Sequence, residues 1–241
     1  MSFNNQYRPS GFGHLPVVTK NIVIINVIVF VLTNILETQG INLYDYLGLH
    51  YHLAPAFKPH HFITYLFMHG SISHLFFNMF AVYMFGQVLE QTWGPKRYLI
   101  FYIVTGLGAA LTQYVIMHFQ ITDNLAAINQ AIDSTSSATV RAEYINQKYD
   151  YLNANVIVGA SGSLFGLLGA FGMLFPNQML YIYFLFPVKA KWLVIGYGAI
   201  ELFSGLSNNP GDNVAHFAHL GGLFVGIILV LLWRKDRRHF Y

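Results

Sequence analysis

Cysteine is absent from this 241-residue chain. That excludes disulfides, thiol nucleophiles and cysteine-based metal sites, and it leaves the redox compartment unreadable. Charge is scarce as well: only 10% of residues are Asp, Glu, Lys or Arg, against about 25% in an ordinary soluble domain. So few charges cannot coat a water-facing surface. With 55% hydrophobic residues and a mean hydropathy of +0.46, the expected solvent is a bilayer. A nucleic-acid face is not expected. The net charge of +3 is carried by the ends and loops, and no basic run is interleaved with stacking aromatics. The 21 Phe and 16 Tyr residues fit lipid contact and interfacial belts instead. The first sixteen residues are polar and Gly/Pro-rich, and the first apolar run is followed by no small-residue cleavage site, so no cleavable signal is expected.

What is there reads as an all-α polytopic membrane protein, a bundle of six transmembrane helices in one domain at 17–233. It is flanked by a flexible tail at 1–16 and a basic tail at 234–241. The spans expected from the apolar runs are Val17–Leu36, Ile72–Leu89, Tyr98–Phe119, Asn155–Phe175, Lys191 to Gly205-Leu206, and Asn213–Trp233. Residues 37–60 form a long first loop too apolar for a free linker, expected at the interface, as is the aromatic stretch Asn177–Val188. The polar insertion 120–154 carries Leu125, Ile128 and Ile132 at helical spacing, then a Ser/Thr break at 134–137. It predicts two short amphipathic helices outside the core. Residues 207–212 make a turn, and the glycine- and serine-rich end of the fifth span with this turn is the expected moving part.

Basic residues orient the bundle. With the amino terminus inside, Arg8, Lys20, Lys96, Arg97, Lys189, Lys191, Arg234, Lys235, Arg237 and Arg238 are cytoplasmic; Lys58, Arg141 and Lys148 are outside. Both termini are then cytoplasmic, and spans two, four and six all enter from outside. Ser161 and His219 each lie six residues into their span, about 9 Å deep if those residues are helical. His74 and Asn78 fall at comparable depth.

Each of these residues has an ordinary reading beside a chemical one. Serine is common in membrane helices and packs at small-residue seams, and Gly159, Gly162, Gly166, Gly169 and Gly172 make this segment such a seam. Ser163 points about 200° away from Ser161. Histidine in hydrocarbon is costly and needs a partner or water. His219 shares a helix face with Gly222 and Gly226, which favours it over His216 without excluding the latter. His74 and Asn78, spaced i, i+4, can be a polar clamp or a pair of oxyanion donors. No Asp or Glu shares this depth in spans two, four or six, so no triad is expected. Metal hydrolysis is disfavoured too, since no His-Glu-x-x-His run exists and no carboxylate lies near His216 and His219 in the sequence.

His74-x-x-x-Asn78, Gly159-x-Ser161-Gly162 and Ala218-His219-Leu220-Gly221-Gly222-x-x-x-Gly226, in this order on alternate spans, resemble the rhomboid intramembrane serine proteases over about Ile22 to Trp233. The resemblance implies a nucleophile at Ser161, a base at His219, and oxyanion or substrate-binding groups at His74, Asn78, Gly159 and Gly162. It implies supporting roles for Phe165 (packing on the histidine ring), Gly222, Gly226, His69 and Glu90. Gly86-x-x-x-Glu90 matches a structural site at the cytoplasmic end of the second span. Many relatives carry Trp-Arg in the first loop, where this chain has His60-His61. The implied activity is cleavage of single-span membrane substrates near the extracytoplasmic surface, in a bacterial cytoplasmic membrane, without cofactor or metal. Two alternatives differ in class: a proteolytically silent relative that binds and escorts membrane helices, and a transporter, for which no internal repeat speaks.

Overall fold

The computed structural model describes residues 15–182, 185–207 and 214–236. Residues 1–14, 183–184, 208–213 and 237–241 lie outside them, and with them all but Ser207 of the turn expected at 207–212, the expected start of the sixth span at Asn213, and most of the basic tail expected at 234–241.

Apolar runs become helices because a helix satisfies its own backbone within the segment, as a lipid environment demands. Helix α1 is Val17–Glu37. Its polar interruptions are absorbed locally: Asn26, Thr33 and Asn34 each donate to the carbonyl four residues back. The first loop then carries α2 (Tyr44–Leu47), β1 (Leu49–His50), α3 (His61–Thr64) and a 3-10 turn at Tyr65–Phe67. It is no free linker. Leu49, Tyr51, Ala54, Tyr65 and Leu66 are buried in a second core with Met117, Ile121, Leu125 and Leu152.

Helix α4 (Ile72–Trp93) starts at Ser71, whose hydroxyl accepts from the His74 N–H, and stops at Gly94, with φ +79°. Pro95 opens α5, which runs to Ser134 without a break. This corrects the expectation of a span ending at Phe119 followed by a separate short helix. No Gly or Pro interrupts residues 109–134, so only polarity changes there, and the helix continues. Its 40 residues reach about 60 Å, twice the roughly 30 Å of a hydrocarbon core. Helix α6 (Ala138–Ala154) folds back along the protruding end, with Asn124 donating to the Tyr151 hydroxyl and Lys148 to Asn129.

The fourth apolar run begins differently from its expected form. Val156–Ile157 is a strand, β2, antiparallel to β1, and helix α7 (Ser161–Leu174) begins only at Ser161. Beyond it, β3 (Met179–Ile182) and β4 (Phe186–Lys189) form a hairpin leading into α8 (Ala190–Ser207). Helix α9 is His216–Asp236. The depth arithmetic that assumed six helical residues before Ser161 therefore does not hold.

Helices α1, α4, α5 and α9 are long and apolar enough to cross a bilayer, and α7 is a shorter apolar helix. Helix α7 is almost wholly buried, packed mainly on α9 and α5. Large apolar side chains such as Ile28, Phe76, Phe77, Ile195, Phe203 and Phe224 stand exposed on the outer helix faces, as they do where lipid replaces water.

Candidate active site

The site forms where α7, α8, α9 and the start of α4 meet. Gly222 and Gly226 set the approach of α9 to α7. A Cβ at Gly222 would collide with the carbonyl of Gly162, and one at Gly226 would lie 2.8 Å from that of Gly166. Only bare backbone permits a crossing this close. The consequence is that His219 reaches Ser161, with Nε2 2.8 Å from Oγ. His219 is buried, at 8% exposure for the residue, while Ser161 is half-buried. Phe165, one turn after the serine, lies flat on the His219 ring with centroids 4.4 Å apart and an interplanar angle of 7°.

Because Ser161 is the first residue of α7, its backbone N–H and those just after it have no partner in the preceding turn. They add the positive end of the helix dipole to whatever binds there. Gly159 precedes it with φ +128°, a conformation that side chains resist. A Cβ on Gly159 would meet His74 Nε2 at 3.1 Å and Ser161 Oγ at 3.5 Å, so the glycine leaves open the space between the two. Asn78 is buried, with Nδ2 3.1 Å from Nε2 of buried His69. An amide nitrogen carries two hydrogens; with His69 accepting one, the other remains.

Other residues singled out in the sequence lie elsewhere. Ser163 donates to the Tyr102 carbonyl at 2.7 Å, a packing contact away from Ser161. Glu90 caps α1 from the far end of α4: its carboxylate accepts from the backbone of Val18 at 2.9 Å, and from the N–H and hydroxyl of Thr19 at 2.7 and 2.8 Å. A carboxylate at a helix amino end is favoured by hydrogen bonding and dipole together. In the first loop His61 is buried and His60 Nε2 lies 2.9 Å from the Tyr46 carbonyl.

One residue is new. Glu201 of α8 places Oε2 2.6 Å from Nδ1 of His216 and 3.0 Å from Nδ1 of His219. This corrects the expectation that no carboxylate stands near these histidines: the acid arrives on α8, the fifth apolar helix, and not on spans two, four or six. The available signal was a glutamate in an otherwise uncharged run from Trp192 to Ser207, which is costly in an apolar helix unless paired. The ligand atoms of Glu201, His216 and His219 lie within 4.8 Å of one another, so the three are also the donor set that a divalent cation would use.

A rhomboid domain family model matches residues 56–236. The chain belongs to the rhomboid family. It is therefore an integral membrane protein with a rhomboid-like helical bundle. It is 28% identical over 186 residues to RHOMBOID-like protein 12, mitochondrial, of Arabidopsis thaliana, covering 76% of this chain and 49% of that one. It is 26% identical over 181 residues to the putative rhomboid protease YdcA of Bacillus subtilis (73% and 69%). To the rhomboid protease AarA of Providencia stuartii it is 25% identical over 174 residues (70% and 53%). The chain thus spans about half the length of the plant relative.

Proposed function

We propose that this rhomboid is an intramembrane serine endopeptidase with Ser161 as nucleophile and His219 as base. The observation that carries the reading is the 2.8 Å approach of His219 Nε2 to Ser161 Oγ at the amino end of α7. Its relatives in Bacillus and Providencia bear protease names, which agrees with it.

Nε2 takes the hydroxyl proton as Oγ bonds to the peptide carbonyl carbon, and the carbonyl electron pair moves onto oxygen. The oxyanion is held by the Ser161 N–H, the His74 ring across Gly159, and the remaining Asn78 hydrogen, in a site largely shielded from water. The imidazolium then protonates the leaving nitrogen as the C–N bond breaks. Water, deprotonated by the same imidazole, releases the acyl group and returns the proton to Ser161. The substrates are single-span membrane proteins cut near the extracytoplasmic surface, in a six-span topology with both termini cytoplasmic. The membrane is a bacterial cytoplasmic membrane.

The test is cleavage of a model single-span substrate in proteoliposomes. Wild type cleaves it, while Ser161→Ala and His219→Ala do not, with unchanged melting temperatures. Binding of substrate helices without cleavage by wild type would establish the silent, helix-binding alternative instead.

A further inference from the structure

We infer that Glu201 is a positioning residue for His219, so that this chain aligns its base with a buried carboxylate as the third member of a Ser161–His219–Glu201 array. The inference rests on the serine-protease reading above and deepens it.

For His219 to accept the Ser161 proton, Nε2 must carry a lone pair, which requires the ring proton to sit on Nδ1. A buried Nδ1–H needs an acceptor. The group in reach is Glu201 Oε2 at 3.0 Å, on a buried residue whose side chain is 11% exposed. The contact is within ion-pair distance but off the line of a well-formed hydrogen bond. Such alignment is common in resting sites and tightens when the transition state forms. Glu201 is itself held: His216 Nδ1 lies 2.6 Å from the same oxygen. The carboxylate thus bridges two histidines one helical turn apart on α9, and His216 acts as its anchor. During attack, the proton leaves Ser161 Oγ for His219 Nε2, and Nδ1–H stays bonded to Glu201, which remains ionised beside the imidazolium.

Distances favour this over a cation site. Donors around a tetrahedral ion with bonds of about 2.0–2.2 Å stand roughly 3.3 Å apart. The separations of 2.6 and 3.0 Å are those of direct proton-sharing contacts.

The experiment uses the reconstituted full chain and a single-span model substrate, comparing wild type, Glu201→Gln and Glu201→Asp with and without EDTA. Gln keeps the size and one oxygen but loses the charge. For this variant kcat should fall by about 10²–10⁴, the scale of losing a histidine-orienting carboxylate. KM should stay within about threefold and the melting temperature unchanged, and labelling of Ser161 by a fluorophosphonate should slow in parallel. Glu201→Asp, which keeps the charge at a shorter reach, should recover part of kcat; it is also the variant to read if Gln prevents folding. EDTA should change nothing in the wild type. Wild-type kcat in Glu201→Gln would overturn the inference. So would a loss matched by falling stability, a gain in turnover (Glu201 then being only a latch between α8 and α9), an Asp variant no better than Gln, or inactivation by EDTA. If wild type neither cleaves nor labels, the protease reading itself fails, and the inference with it; active wild type beside an unimpaired Gln variant defeats the inference alone.

Discussion

Phe165 covers one whole face of the His219 imidazole, the rings 4.4 Å apart and within 7° of parallel. The stack blocks tilting of the ring out of its plane, while Ser161 and Glu201 meet its two nitrogens edge-on and oppose rotation within it. Orientation of the imidazole is thus fixed on three sides by residues of α7 and α8.

Phe165→Leu keeps much of the volume and loses the flat face. Turnover should fall between about ten- and a hundredfold, as small misplacements of catalytic groups do, with KM little changed. Steady-state kinetics on the reconstituted chain check this; an unchanged kcat would show that the stack is packing alone.

The crossing of α7 and α9 should tolerate no added carbon at Gly222. Gly222→Ala drives a methyl into the Gly162 carbonyl, beside Ser161. It should abolish activity and lower the melting temperature. Gly196→Ala meets nothing within 4 Å and should be neutral or stabilising by up to about 1 kcal/mol, the helix preference of Ala over Gly. Equal melting temperatures for the two variants would contradict the packing argument.

Glu90 supports the fold rather than the site. Glu90→Gln substitutes an amide N–H₂ for one acceptor that now faces the Val18 or Thr19 donors. Hydrogen bonds to a charged group contribute about 1.5–3 kcal/mol, so a loss of roughly 1–3 kcal/mol is expected. Thermal unfolding in detergent reads it, and specific activity of the folded fraction should be retained.

These residues differ in how visible they are in the sequence. Ser161 among glycines and His219 on the Gly222–Gly226 face were legible because polarity in an apolar run is conspicuous and helical spacing puts small residues on one side. Glu201 was not, because depth along spans two, four and six says nothing of the fifth apolar helix, from which a side chain can reach the same depth. The 40-residue length of α5 was obscured for another reason. The change from apolar to polar after Phe119 marks a change of solvent, not of conformation, and Leu125 and Ile128 continue the same helix. The late start of α7 was carried by the β-branched run Val156-Ile157-Val158, which favours strand over helix; β1, 106 residues before β2 in the chain, supplied the partner.

The first loop should make stability depend on pH. Burial, reinforced by the nearby His60 and His50, lowers the His61 pKa from 6.5 to about 4. The unfolded chain therefore binds a proton between those values that the folded one refuses. Stability is full above pH 6.5, is lost as pH falls from 6.5 towards 4, and levels off below. Melting temperatures measured across that window should decline in wild type and decline less in His61→Gln. Identical slopes in both would assign the pH dependence elsewhere.

The central claim is that Ser161 is a nucleophile activated by His219, and covalent trapping tests it most directly. Membranes containing wild type, Ser161→Ala or His219→Ala are treated with a fluorophosphonate probe, and the adduct is located by peptide mass spectrometry. A single adduct on Ser161 in wild type, absent from Ser161→Ala and strongly reduced in His219→Ala, is the predicted result. An adduct on another residue, such as Ser163, or labelling undiminished in His219→Ala, would contradict the account.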